Sequence, residues 1–234
     1  MAYLNPKFIV VDILRRRLID PRTRAEASKT NNFTATASQT DFSLTPTTGK
    51  KLSTITSITD NTVAVVKWRD YYIDFRNQKI IFFTGRTSGH TISITYKEGS
   101  TNWIYWDKPD ETLSKTAFPR IDVIIVSGTG KRLGNYKAPV ESSIHFQVDV
   151  WTKEKQNDQI WTIDSIAYTG EALSEYIGYK ILEAMEDYES DLFPALYGYV
   201  PMGIPKSLPF NETLQCHHKT VEFILNGISI GRIS

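Results

Sequence analysis

A run of short strand patterns between about Asn31 and Trp103 most constrains how this chain can fold. Branched and aromatic residues alternate with polar ones there, and turn residues fall roughly every 8–12 positions, which is typical of a small all-β domain. A different pattern of helix and strand precedes the run and resumes after it. The sequence therefore predicts an inserted sandwich or barrel domain over residues 31–103, within a core built from residues 1–30 plus 104–234.

The chain before the insertion predicts an amphipathic helix. Asn5 is a suitable N-cap, and Pro6 suits the first helical position. Asp20 and Pro21 are expected to end the helix, since the residue before a proline avoids helical geometry. A polar linker is predicted over residues 22–32. The buried stripe comprises four residues: Phe8, Val11, Leu14 and Leu18.

The chain after the insertion predicts an antiparallel strand pair, Arg120–Ser127 and Ser143–Trp151, joined through a loop containing Gly128, Gly130 and Gly134. A long helix is expected from about Asp164 to Tyr188. The proline-rich stretch Phe193–Phe210 reads as a long loop that serves as an arm, and Asn226-Gly227 as the turn of a terminal hairpin. The predicted fold class is an α+β core, an antiparallel sheet packed with two helices, carrying the inserted all-β domain.

Charge is balanced overall but uneven along the chain. The net charge of +1 creates no global field that would recruit nucleic acid or a membrane surface. Seven Lys and Arg residues lie within residues 1–30, and seven acidic residues lie within 165–191. These two segments could pair within one subunit or between subunits. Direct contact of Arg15–Arg17 with phosphates is the alternative interpretation of the basic segment.

The motifs that could carry chemistry are incomplete. Ser127–Arg132 resembles a phosphate-binding loop, but Ile125 stands where that motif needs glycine and Arg132 where it needs Ser or Thr. The single cysteine, Cys216, precedes two histidines without a second cysteine or a further histidine at ligand spacing. We therefore expect no enzyme activity, no cofactor and no metal site. The absence of a signal-peptide core and of a membrane-length apolar stretch predicts a protein folded in a cytoplasm.

The insertion resembles a small β-module common in structural proteins of tailed viruses. Such modules open with a Thr/Ser run flanked by aromatic residues and continue through short strands separated by tight turns. The matching segments here are Phe33–Leu44, Ile55–Thr59, Tyr72–Asp74, Lys79–Phe82 and Ile92–Tyr96.

The flanking parts resemble the tail terminator, or tail completion, family of tailed viruses. The matching pieces are the first helix, the strand beginning Phe118-Pro119-Arg120-Ile121, the strand Phe146–Trp151, and a long helix followed by a terminal strand pair. The resemblance implies a homo-oligomeric ring, usually a hexamer, that caps the tail tube and joins it to the head. The implied partners are further copies of the chain, the tail tube protein and neck or connector proteins, with DNA only passing through the lumen and no membrane. The implied location is the virion tail or neck, after assembly in the host cytoplasm.

Two alternatives stay open at this stage. One is another neck protein, such as a head-completion, stopper or connector protein. The other is an adhesin whose β-domain binds host glycans through aromatic side chains, with the candidates Trp68, Tyr71, Tyr72, Trp103, Tyr105 and Trp106.

The predicted subunit interface combines the basic helix, the acidic helix, the arm and the terminal strands. Its candidate residues are Arg15, Arg16, Arg17, Glu175, Glu183, Glu186, Tyr197, Tyr199, Phe210, Ile228 and Ile230.

Overall fold

The chain folds mostly as β-structure. A computed structural model describes residues 6–22, 24–99, 102–106, 118–132, 140–153, 161–163, 165–187, 196–213 and 215–229. The described structure is 56% strand and 16% helical. It divides into two compact units, the first comprising the described residues of 6–12 and 24–102, and the second those of 13–22 and 103–229.

Among its described residues, the first unit contains seven strands in two sheets. One sheet has the order β1-β7-β3-β4, and the other has the order β2-β6-β5; all pairings within them are antiparallel. The strands are β1 (Glu26–Thr34), β2 (Gln39–Ser43), β3 (Lys51–Asp60), β4 (Val63–Ala64), β5 (Tyr71–Asp74), β6 (Lys79–Arg86) and β7 (Thr91–Gly99).

Alternation along these strands builds the core of the first unit. On β7, Ile92, Ile94 and Tyr96 are buried, while the residues between them are partly exposed, because successive side chains point to opposite faces. The two sheets meet where Phe33 of β1 contacts Phe42 of β2, with ring centroids 5.4 Å apart. The short strands predicted for this part of the chain are therefore confirmed as elements.

The first helix, α1 (Pro6–Arg17), begins at the predicted proline, while the expected cap Asn5 lies outside the described residues. It ends at Arg17, before the predicted stop at Asp20-Pro21. The apolar surface is wider than the predicted stripe: every residue from Phe8 to Leu14 is buried. Leu18, predicted to complete the stripe, follows the helix and is half-buried.

The second unit is dominated by one sheet with the order β13-β15-β10-β9-β8, and β14 also pairs with β15. A separate two-stranded ribbon, β11 with β12, precedes the second helix. The elements are β8 (Ile104–Tyr105), β9 (Arg120–Arg132), β10 (Val140–Lys153), β11 (Trp161–Ile163), β12 (Ile166–Tyr168), α2 (Gly170–Glu186), β13 (Leu196–Pro201), β14 (Lys206–Asn211) and β15 (Cys216–Ser229).

Helix α2 covers one face of this sheet by packing on β10 and β15. Its buried face includes Leu173, Ile177, Ile181 and Met185, at the spacing of three and four expected of one helix stripe. Facing it are alternate residues of the long strands: Phe146, Val148 and Val150 on β10, and Val221, Phe223 and Leu225 on β15.

The predicted fold class, an α+β core with a sheet packed against two helices, is wrong. The chain has several sheets and is best described as all-β. The physical reason is strand length: β9, β10 and β15 run for 13, 14 and 14 residues, well beyond the predicted segments. Residues assigned to loops by local preference are held in these strands by pairing with distant strands.

Five local predictions fail, most of them for that reason. Asn226-Gly227 is no turn, since both residues continue β15 opposite Ser143 and Ser142 of β10. Gly128 and Gly130 lie within β9, and Gly134 lies outside the described residues. The predicted arm loop contains β13 and β14, and most of the predicted linker 22–32 belongs to β1. The long helix starts at Gly170, later than predicted, since β11 and β12 come first; Asp164 and Tyr188 lie outside the described residues.

Candidate functional site

A buried polar cluster lies on the sheet of the second unit, where β10 pairs with β15. Asp149 Oδ1 accepts hydrogen bonds from Gln147 Nε2 at 2.8 Å and from Thr220 Oγ1 at 2.9 Å. His218 Nε2 lies 3.1 Å from the same oxygen, within ion-pair distance but without hydrogen-bond alignment. The His218 ring stacks on Trp151 at 3.7 Å between centroids. The polar groups of the cluster are therefore occupied by contacts with one another.

The ionisation of this cluster follows from its contacts. Burial acts to raise the pKa of Asp149, but the contact with His218 and the bonds from Gln147 and Thr220 outweigh burial and lower that pKa below its ordinary value. Cys216 is buried on the same strand, and burial raises the pKa of its thiol to about 11. A protonated, buried thiol is a poor nucleophile. The arrangement is suited to holding β10 against β15.

The other predicted chemical motifs are extended strand. Ser127–Gly130 lies within β9 and pairs with Ser142–His145 of β10, so its backbone forms no loop that could cradle a phosphate. Within the described ranges, no three His, Cys, Asp or Glu side chains are grouped as ligands for a metal ion.

The predicted basic residues of α1 have different environments. Arg15 donates to the carbonyl oxygen of Ile104 through Nε at 3.1 Å and Nη2 at 2.7 Å, and its guanidinium lies 5.9 Å from the Trp106 ring centre. These contacts hold Arg15 inside the second unit. Arg16 and Arg17 are exposed.

The predicted acidic residues of α2 meet cations of the same unit. Glu183 lies 2.7 Å from Lys180, and Glu175 lies 3.8 Å from Lys219, which also approaches Glu171. Glu186 lies near Tyr199: burial, and then the negative charge of Glu186, raise the pKa of Tyr199 to about 12. Two predicted residues from different segments, Glu186 and Tyr199, therefore interact electrostatically.

The remaining predicted interface residues lie on the second unit or outside the described residues. Tyr197 is part of β13 and Ile228 is part of β15, and the structure describes their backbones only. Ile230 lies outside the described residues. Phe210, near the end of β14, is 40% exposed. The assignment of all eleven residues to a subunit interface stays a prediction.

Five of the exposed large apolar side chains in the described part of the chain lie on β13, β14 and the turn between them, which together we call the arm (residues 196–211). Gly203 forms the turn with a φ of +111°, a conformation that glycine adopts without strain. Pro205 is buried after it, and the α2 residue Gly178 lies so close that an added Cβ would sit 3.0 Å from the Pro205 ring. The arm's exposed apolar residues are Val200, Met202, Ile204, Leu208 and Phe210.

A pocket of about 120 Å³ opens on the same unit, beside the end of α1 and the middle of α2. Two cations, Arg17 and Lys180, accompany an apolar lining there. Ile19, part of that lining, is 73% exposed and extends the apolar surface outward. The other lining residues are Leu18, Trp103, Ile163, Tyr176 and Ile177.

The aromatic residues proposed for glycan binding do not form an exposed platform. Trp68, Tyr71, Tyr72 and Trp103 are buried. Tyr105 is partly covered by the guanidinium of Arg120, 3.9 Å above its ring. Sugar-binding surfaces need accessible aromatic faces, so these side chains serve packing.

No protein-family model, curated protein or solved structure matches this chain. Within the described part of the chain, neither helix is long and apolar enough to cross a membrane.

Sequence reasoning missed two features. The pocket joins residues from four separate segments, and no local signal links them. The buried pair of Asp12 with Lys67 was also missed, although an aspartate inside an otherwise apolar helix stripe was a usable signal, since buried charges are normally paired.

Proposed function

We propose that this chain is a virion structural protein of the tail or neck region that assembles into a homo-oligomeric ring. The observation that carries the proposal is the arm: five apolar side chains are exposed along β13, β14 and the residues between them, and both strands pair with β15. Exposed apolar side chains grouped on one segment are typical of a contact site with another protein. The resemblance of the flanking strands and helices to tail terminator proteins supplies the more specific role of ending the tail tube and joining it to the head.

Sheet edges support assembly as well. On its outer side β9 meets β8, which pairs only with Ile121 and Asp122, so none of the described strands covers β9 from Val123 to Arg132 on that side. An uncovered edge presents backbone donors and acceptors to a neighbouring chain. Val126, exposed on this stretch, adds apolar area to it. The arm and this edge offer two surfaces of different composition, as a head-to-tail ring requires.

The second candidate is another neck protein, such as a head-completion, stopper or connector protein. Such a protein would also form a ring, but it would bind other proteins of the neck in place of the tail tube. The same arm supports it, because an apolar arm serves contact with any adjacent layer. The adhesin alternative loses support from the burial of four of its six aromatic residues.

The experiment that tests the proposal measures first the mass of the assembled chain and then the position of the assembly on the tail tube. Mass photometry of the full chain should give one discrete species of several subunits, and electron micrographs should show closed rings. Incubation with purified tail tubes should then place the ring at the tube end. Rings that bind the head vertex and ignore tubes would favour the second candidate. A chain that stays monomeric at micromolar concentration would contradict both.

A further inference from the structure

The pocket on the second unit is suited to one apolar side chain that lies next to an acid. Its lining is aliphatic and aromatic, with Ile163, Tyr176 and Ile177 among the contributors, and Arg17 and Lys180 supply positive charge. The side chain of Lys180 is 40% exposed and its ammonium lies 2.7 Å from Glu183, so an incoming carboxylate would share this cation with Glu183. A ligand that fits this pocket would therefore combine an apolar group, which contacts the lining, with a negative charge, which faces the two cations.

The size of the pocket selects a protein side chain over a free metabolite. Small-molecule sites are usually about 300–1,000 Å³, more than twice the 120 Å³ found here. An apolar cavity of about 150 Å³ accepts a single benzene ring. One aromatic or branched side chain, projecting from a folded partner, therefore matches the space.

The arm of this same chain carries that combination. The Phe210 ring is 40% exposed even though it contacts His217 edge-on, with centroids 5.1 Å apart. Glu212, two residues further on, is also exposed. The arm's lysine, Lys206, lies 3.2 Å from Glu222, which offsets its charge. An exposed aromatic ring at the end of the arm is thus followed, two residues further on, by an exposed acidic residue.

We propose that the pocket of one copy binds Phe210 of a second copy, with Glu212 of that copy facing Arg17 and Lys180. This inference rests on the proposed function, since it names the contact that joins neighbouring subunits. Phe210 and the pocket lie on different parts of the same unit. Each copy therefore inserts Phe210 into the pocket of one neighbour and receives Phe210 of the other neighbour in its own pocket. Such a heterologous contact generates a ring when its rotation closes.

Cross-linking between single-cysteine variants tests the contact. Glu212→Cys and Lys180→Cys are prepared as full chains with tags of different mass and then mixed. The native Cys216 is buried with a raised thiol pKa, so it stays unreactive in both variants. A short bifunctional maleimide should join the two tagged chains to each other. The double variant in one chain should give a ladder of cross-linked oligomers that stops at the ring size.

Charge exchange supplies an independent test. Lys180→Glu and Glu212→Lys should each weaken assembly at least tenfold, and the double variant should recover most of the loss. Phe210→Ala should weaken assembly similarly. Val63→Ala, which removes an exposed apolar side chain of the first unit, should leave the Phe210 contact intact and weaken assembly by less than threefold. Circular dichroism verifies that each variant keeps the native fold, because Lys180 also contacts Glu183 and Tyr176.

Three results would overturn the inference. Covalent dimers from Glu212→Cys alone would show that arms meet arms. Rings that form without any cross-link between positions 212 and 180 would leave the proposed function standing and remove this contact from it. A wild-type chain that remains monomeric would contradict both the proposed function and this contact.

Discussion

The buried ion pair between Asp12 and Lys67 yields a sharp prediction about the first unit. Lys67 Nζ lies 3.0 and 3.1 Å from the two carboxylate oxygens of Asp12 and 3.3 Å from the carbonyl oxygen of Ile55. The Asp12 side chain is fully buried, so water cannot replace the lysine. Breaking a buried pair on one side costs about 3–5 kcal/mol, because the other charge stays in a medium of low polarity.

Lys67→Met should therefore lower the free energy of unfolding of the first unit by about 3 kcal/mol. The double variant Asp12→Leu with Lys67→Met should regain most of that loss, since apolar replacement of a whole buried pair is often neutral or stabilising. Urea denaturation followed by circular dichroism gives the energies. Hydrogen exchange of peptides from β3 and β7 assigns the loss to the first unit.

The matched control is Lys79→Met in the same unit. Lys79 lies 3.2 Å from Asp41, but the two side chains are 36% and 55% exposed, so removing the lysine should cost no more than about 1 kcal/mol. Equal effects of Lys67→Met and Lys79→Met would refute the reasoning. If the double variant Asp12→Leu with Lys67→Met were no more stable than Lys67→Met alone, the buried charge of Asp12 would not be the cause of the lost stability.

Three further predictions concern packing, pH and the arm. Gly85→Ala should destabilise the first unit by about 1–3 kcal/mol in urea denaturation, because a Cβ there would lie 2.7 Å from the backbone of Ser38; an unchanged midpoint would contradict this. The folded state lowers the pKa of Asp149, so its stabilising contribution is complete above the ordinary aspartate pKa of about 4 and is lost as pH falls through the folded-state value. Melting temperatures measured from pH 7 to pH 2 should accordingly fall less steeply on the acid side in Asp149→Asn than in the wild type, and parallel curves would contradict the assignment. Gly178→Leu should displace Pro205 and weaken assembly at least tenfold by mass photometry while the helical signal persists; normal rings would show that the arm does not depend on this contact.

Local sequence patterns predicted the elements whose stabilising partners are nearby or periodic. The start of α1 at Pro6 followed from proline's fixed geometry, and the strands around Ile144–Val150 and Ile92–Tyr96 followed from strict alternation. Turn preferences failed where distant pairing prevailed. Asn226-Gly227 favours a tight turn alone, but opposite β10 it continues a strand of 14 residues.

The candidate site was only partly predictable for the same reason. Phe210 was recognised as an aromatic residue in an exposed segment, which is a local property. The pocket was not recognised, since Leu18, Trp103, Ile163 and Ile177 meet only through the tertiary fold. Charge patterning did not predict the contacts within the chain, in which Arg15 donates to the carbonyl of Ile104 and Glu183 pairs with Lys180.

Native mass spectrometry of the full-length chain in volatile buffer tests the central claim, assembly into a ring through the arm, most directly. The wild type should show one predominant oligomer with an integral number of subunits, six by the family resemblance, and Phe210→Ala should show mainly monomer with an unchanged fold. A wild-type spectrum containing only monomer, or an oligomer that Phe210→Ala and Ile204→Asp leave intact, would contradict the account.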